Sequence, residues 1–472
     1  MRYSLIGAVL VGMCTWPLAG QVFESYFLNQ TLRVDYHHTG TKGQEIIALD
    51  QCYQESEWAG SHTNLIDHLN LGEYQVRVYD VRTSALIFSR GYSTVFNEWQ
   101  TTSEAKTNYR TFHETVLVPM PKNKIQLVLC RRDKQMNFRE IFATTIDPNA
   151  STQVDRAKRI PKFKAVPLMK NGSPATKVDL VILGDGYAQD DLEKLRKDAK
   201  RLNEVMFSTT PFKERQRDFN VWLIEVISEE SGIPKPDKNI WKNSALGTTY
   251  NTFGSARYVL TEANKTMRDI AGQVPYDCVN ILVNDNRYGG GGIYNLYTTT
   301  YTISDHPGQN WQIDYVYVHE FGHSFAGLGD EYYSSQISYE EFYAKDVEPW
   351  ERNVTALLDK NNPKWQPLMS AGVPLPTPWE KAQYDSLATL RAALDRLAPD
   401  YYQKREPLIS AQTRLLRESQ YAGKVGAFEG AGYEAKGLYR PAVDCRMFSL
   451  SLVDFDSVCR QALEEVIDSY TK

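Results

Sequence analysis

Histidine is scarce in this chain: eight among 472 residues, and none after His323. Imidazole chemistry is thereby confined to a few short stretches. Long apolar runs are missing after the first twenty residues, so no later segment is expected to cross a bilayer. Neither sign of charge is in large excess. The net charge is −5 and the pI near 6, which gives no footing for a nucleic-acid or anionic-membrane partner. Cysteine is sparse, six in all, and its spacing suggests no metal cluster. The turn Gly184-Asp185-Gly186 lacks the length and the Lys-Ser/Thr of a phosphate loop, so a tight strand-to-helix turn explains it instead.

What is present begins with a leader. Arg2, an apolar run over 5–13, and Leu18-Ala19-Gly20 read as a signal peptide, residues 1–20, cleaved near Gly20. The expected location is secreted or periplasmic. A lipid anchor on Cys14 is the alternative, although Met13 stands where a lipoprotein signal carries a small residue. Export permits disulfides. Five cysteines then remain, with Cys445–Cys459 and Cys52–Cys130 as candidate pairs and Cys278 as a buried core thiol.

Residues 21–149 alternate apolar and polar in the manner of strands, as in Tyr74-Gln75-Val76-Arg77-Val78-Tyr79, and no long amphipathic helix intrudes. An N-terminal β-sandwich domain is predicted. Its adjacent His37 and His38 point to opposite faces of a strand and are read as solvated. Residues 150–176, rich in Lys, Arg and Pro and without periodicity, read as a linker. Residues 177–472 then alternate strands and helices. Strands are predicted over 178–183, 220–227, 276–283 and 293–303. One helix carries Leu195, Ala199, Leu202 and Met206 on one face, and a second is predicted over 257–271. Leu387, Leu390, Leu394 and Leu397, stopped by Pro399, mark a helical insertion at about 380–421, and residues 458–470 form a last helix.

The chemistry gathers at Val318-His319-Glu320-Phe321-Gly322-His323. Residues four apart share one face of a helix, so His319 and His323 can grip a single ion. Nitrogen ligands about 2.0–2.1 Å from the metal suit zinc. Glu320, beside the first histidine, is placed to take a proton from water attacking a carbonyl. Tyr317, Phe321, Phe325 and Leu328 are expected to form an apolar stripe opposite the histidines. Gly327 and Gly329 end the helix and return the chain toward the metal. With no histidine downstream, Asp330 is the first candidate for third ligand. Glu331, Glu429 and the upstream His306 are alternatives.

The run from Val318 to Tyr332 resembles the signature of the IgA-peptidase family of secreted zinc metallopeptidases. So do the strings Gly372-Val373-Pro374-Leu375-Pro376-Thr377-Pro378-Trp379-Glu380, Val425-Gly426-Ala427-Phe428-Glu429-Gly430-Ala431-Gly432-Tyr433 and Gly437-Leu438-Tyr439-Arg440-Pro441. The resemblance extends from about Phe23 to the C-terminus. It implies a metzincin-like α/β (α+β) peptidase domain behind the all-β domain, one zinc ion, and extracellular endopeptidase activity on protein or peptide. It departs from the wider metzincin pattern at Ala326, Gly329 and Asp330, where the glycine and the third ligand are displaced.

By the same resemblance, an edge strand within 289–303 is expected to pair with substrate. Met447 or Met369 is expected under the metal, and Tyr433 or Tyr439 beside it. Immunoglobulin A enters only through the family's name; other host or environmental proteins serve the chemistry equally. A competing expectation is an inactive scaffold that binds protein or glycan through its β domain. The presence of Glu320 argues against it.

Overall fold

Alternating apolar side chains build the first part of the chain as strands, each offering one face to a common interior. The computed structural model describes residues 23–472 apart from 159, 305–309, 334–341, 345, 396, 397 and 399. The expected signal peptide with Cys14, and also His306, Leu397 and Pro399, lie outside the described residues. Two four-stranded sheets form the N-terminal β domain. One runs in the order Arg110–Pro121, Phe27–Thr41, Gln44–Gln54, Val154–Asp155. The other runs Leu86–Tyr92, Tyr74–Asp80, Ile125–Arg132, Phe138–Ile146. Leu32, Val34 and Val116 from the first and Val76, Phe88 and Leu127 from the second share one buried core.

His38 is not solvated. It is buried and held between Glu114 and Glu45 at 2.9 and 3.0 Å, while its neighbour His37 is exposed. Cys52 and Cys130 lie on different sheets and both are free thiols.

Residues 150–176 do more than connect. Val154–Asp155 pairs in parallel with the strand Gln44–Gln54, and Ala165–Met169 forms one edge of the next sheet. That sheet has six strands in the order Gly290–Ile293, Tyr297–Tyr301, Cys278–Val283, Val178–Asp185, Phe219–Ile224, Ala165–Met169. Its four inner strands are parallel and the two edges antiparallel. A parallel sheet is covered on both faces, which is why Val178–Asp185 is buried at every position, Asp179 and Asp185 included, and is apolar from Leu180 to Leu183.

Several predicted elements shift. The helix expected over 257–271 is confined to Asn264–Ala271. The preceding residues are spent on pairing, Val259 with Gly290 and Leu260 with Thr249, so their amides are not available to a helix. The single strand expected over 293–303 is a hairpin, Gly290–Ile293 against Tyr297–Tyr301, with the glycines themselves forming the edge. The insertion contains two helices, Lys381–Ala392 and Tyr401–Arg417. The first buries Tyr384 and Ala388 rather than the leucines, and Leu390 is 55% exposed.

The helix Trp311–Ala326 packs on this sheet beside the helices Leu192–Met206 and Ser457–Thr471. It is not a two-faced surface helix: Tyr315, Val316, Tyr317, Val318, Phe321 and Phe325 are all buried. The short helix Val95–Gln100 of the β domain inserts Phe96 and Trp99 into a cluster with Leu183, Ile224 and Tyr297. The β domain and the mixed α/β unit therefore share a core.

Candidate metal centre

The helix Trp311–Ala326 ends where Gly327 adopts φ 58°, a left-handed turn open to glycine at little cost. The chain then doubles back. Asn353, fully buried, fixes this return by mimicking a strand partner: its Oδ1 accepts from the Gly329 amide at 2.8 Å and its Nδ2 donates to the Gly329 carbonyl at 2.9 Å. Asp330 follows directly and is carried to the two histidines. Its Oδ1 lies 3.0 Å from His319 Nε2 and 3.3 Å from His323 Nε2, and those two nitrogens are 3.1 Å apart.

The other nitrogen of each ring is committed to the backbone. His319 Nδ1 donates to the Arg446 carbonyl at 3.1 Å, and His323 Nδ1 to the Leu328 carbonyl at 2.5 Å. A carbonyl only accepts, so each Nδ1 carries the proton and each Nε2 presents a lone pair. Two lone pairs and the unbonded Oδ1 of Asp330 thus converge. Three acceptors at such distances repel one another unless a cation lies between them. Ligands about 2.0–2.1 Å from a tetrahedral ion sit roughly 3.3 Å apart, close to the spacing found, so the donor set fits zinc.

The charges agree. Without a metal ion a proton on His323 Nε2 meets Asp330 Oδ1 instead: burial disfavours that charge, but Asp330 opposite outweighs it and lifts the imidazole to about 9. Against burial, the two histidines hold the Asp330 carboxyl well below the usual carboxylate range. This is a spot that stabilises positive charge. Loss of water pushes the Glu320 carboxyl up, with His319 and His323 opposing. A carboxylate of raised basicity suits proton abstraction.

The remaining acids sort themselves. Glu331 turns away, its Oε1 accepting from Asn353 Nδ2 at 2.8 Å. Glu429, on the hairpin Phe428–Ala431 and Glu434–Arg440, receives the Gly437 amide instead. Tyr433 donates to Asp330 Oδ2 at 2.5 Å, leaving Oδ1 for the histidine side, whereas Tyr439 pairs through its backbone with Thr355. Met447 is fully buried, and its sulfur lies 3.1 Å from where a Cβ on Gly322 would sit, so it underlies the middle of the histidine motif. Met369 packs elsewhere, with Trp365 and Val425.

Glu320, His323 and Asp330 open into a cleft of about 380 Å³. One wall comes from the α/β unit through Arg257, Tyr288, Gly290 and Tyr332; the other includes Glu73, Asn97, Glu98 and Arg131 of the β domain. Arg257 Nη2 donates to Tyr332 Oη at 3.4 Å, and the Tyr332 ring stacks 6.1 Å from His319. At Gly290 the outer edge of the glycine strand is already taken. Its amide donates to Arg257 O and its carbonyl accepts from Val259, so strand pairing with substrate is blocked at that residue.

Asn353, Arg257 and the carbonyl of Arg446 carry no motif, and their place at the centre was not foreseeable. Only the tight Gly-Leu-Gly return hinted that something must hold it. Residues 166–467 match the family model described as IgA Peptidase M64, and residues 22–143 match the one described as Peptidase M64 N-terminus. No curated protein sequence matches the chain. The first match spans the sheet, the histidine helix and the Met447 segment, and the second the domain that walls the cleft. On that coverage the chain belongs to the IgA peptidase M64 family of metallopeptidases.

Proposed function

We propose that this peptidase is a secreted, metzincin-like zinc endopeptidase in which His319, His323 and Asp330 hold one catalytic ion and Glu320 is the general base. The observation that carries the reading is the locked orientation of both imidazoles, each Nδ1 bound to a carbonyl and each Nε2 turned to Asp330 Oδ1. When bound there, zinc supplies an activated water and charge against the developing oxyanion. Glu320 accepts the proton of the attacking water and later returns it to the leaving amine nitrogen. Tyr433 holds the second oxygen of Asp330, so that the carboxylate offers one oxygen rather than two. Substrate lies in the cleft between the α/β unit and the β domain, in contact with both. Protein or peptide of extended conformation fits such a trough; nothing in it selects immunoglobulin A.

Glu320→Gln keeps the shape and removes the base. The variant is expected to bind zinc as the parent does and to lose turnover by at least about 10²-fold, the usual contribution of a positioned acid-base group. Metal content and cleavage of a mixed peptide library are the two measurements. An unchanged rate would remove Glu320 from the mechanism.

A further inference from the structure

One residue on from Asp330 begins a second group of metal-ligating side chains. Glu331, Cys445, Asp456 and Cys459 each bring one donor atom to within 4.8 Å of all the others. Glu331, Cys445 and Cys459 have no solvent exposure. Glu331 Oε2 and Asp456 Oδ2 are shut away from water without a hydrogen-bond partner, an arrangement that needs an explanation in a folded protein.

The sulfur environment supplies one. The two sulfurs are 3.8 Å apart and not bonded to each other. Thiolates about 2.3 Å from a tetrahedral zinc sit roughly 3.8 Å apart. The amides of Met447 and Asp456 both donate to Cys445 Sγ, at 3.5 and 3.4 Å. Cys459 lies in the first turn of the helix Ser457–Thr471, where Asp456 Oδ1 accepts from the Val458 and Cys459 amides at 2.7 and 3.1 Å and so brings its carboxylate beside the sulfur. A disulfide here would be neutral and would leave both carboxylate oxygens without a partner. A divalent cation accounts for all four groups at once.

Asp35, Asp50 and His113 in the β domain differ from this group. They also lie close together, but Arg33 pairs with Asp35 at 2.6 Å, and Lys265 approaches both acids at 3.7 and 4.0 Å. Those charges are already met by side chains. No Lys or Arg within ion-pair distance of Glu331 or Asp456 is seen among the described residues.

We propose that Cys445, Cys459, Glu331 and Asp456 bind a second, structural zinc ion, distinct from the one at His319 and His323. Binding releases the two thiol protons and leaves two thiolates and two carboxylates around the metal. The ion ties together three segments that set the catalytic centre. Glu331 follows Asp330, and its amide donates to Met447 O at 2.9 Å. Cys445 precedes Arg446, whose carbonyl orients His319. Asp456 and Cys459 begin the last helix.

The test uses the full chain purified without chelator. Parent protein should contain two zinc ions per chain, and His319→Ala/His323→Ala should keep one. Cobalt loaded into that double variant should show a thiolate-to-cobalt charge-transfer band, which a site of histidines and aspartate cannot give. Adding Cys459→Ser to the double variant should abolish both the remaining metal and the band. Because a cysteine variant can fail to fold, the decisive readings are those on the parent and on the histidine variant. A single zinc in the parent that vanishes in His319→Ala/His323→Ala, or a Cys445–Cys459 disulfide found by alkylation and mass spectrometry, overturns the proposal. A parent with a single zinc that is still present in His319→Ala/His323→Ala supports this site and rejects the catalytic one.

Discussion

Two backbone carbonyls, of Arg446 and Leu328, decide which nitrogen each histidine turns toward Asp330, and one hydroxyl decides which oxygen Asp330 turns back. That hydroxyl belongs to Tyr433, which sits at φ 67°, a conformation a bulky residue adopts only when its surroundings impose it. Tyr433→Phe removes the hydrogen bond and frees Asp330 to rotate. Loss of such a supporting contact costs on the order of 10–100-fold in metal affinity, and competition with a chelator reads it directly. Unchanged affinity with lowered turnover would move Tyr433 from positioning the ligand to touching the substrate.

A second residue-scale prediction concerns His38. Burial opposes its protonation, but Glu114 and Glu45 outweigh burial and raise it above the ordinary histidine value. A raised value in the folded state means stability that is complete below the unfolded histidine pKa and is lost as pH rises through the folded one. His38→Gln should therefore cost most at mildly acidic pH, about 1.5–3 kcal/mol, where the parent's imidazolium pairs with Glu114 and Glu45. The gap to the parent should close as the pH is raised above neutrality, as followed by urea unfolding. The pair His37-His38 was legible as a strand, but not the depth of His38, because Glu45 and Glu114 come from two neighbouring strands. Likewise His319, Glu320, His323 and Asp330 are close in sequence and could be named from it. Asn353 and Arg446, which hold them, are distant and typical of any loop.

At the scale of elements, the glycine run is the instructive case. Four glycines in a row, Gly289 to Gly292, permit either a close backbone approach or a mobile rim, and Gly290–Ile293 is an ordered edge strand lying on the histidine helix. A Cβ on Gly292 would stand 2.3 Å from the Glu320 carbonyl and 3.1 Å from His323 Cβ. Gly292→Ala must therefore push the strand off the helix that carries the proposed base and a proposed metal ligand. Overpacking of this kind costs about 1–3 kcal/mol, and turnover should fall with it because Glu320 is displaced. Gly43→Ala, where a Cβ meets nothing within 4 Å, is the control and should change stability by no more than about 0.5 kcal/mol. If both alanine variants behave alike in thermal unfolding and in peptide cleavage, the close approach has no bearing on the site. Periodicity located the inner strands well because a run such as Val178–Asp185 is buried on both faces. It failed over 257–263, where apolar spacing suits a helix but the amides and carbonyls are used in pairing with Gly290 and Thr249.

For the whole molecule, the question is whether the β domain is an appendage or a part of the enzyme. Three kinds of contact join it to the α/β unit. Arg33, fully buried, spans from Asp35 to Asp269 at 2.7 Å. Ser93 and Asn295 exchange backbone and side-chain hydrogen bonds across the junction with Tyr294 and Gly91. Phe96 and Trp99 fill the cluster that also holds Leu183 and Ile224, from the sheet beneath the site. A truncated chain lacking residues 23–149 would expose that cluster and lose one wall of the cleft, so it should be poorly soluble and inactive. Trp99→Ala poses the question without truncation. The ring has no solvent exposure, and its removal should cost about 3–5 kcal/mol. If the two units unfold as one, the loss appears equally in the far-ultraviolet signal of the β domain and in the release of metal from the proposed site at His319 and His323, with one shared midpoint. Two separated transitions, with metal release unmoved by Trp99→Ala, would mean that the shared core does not couple them and that the β domain serves substrate alone.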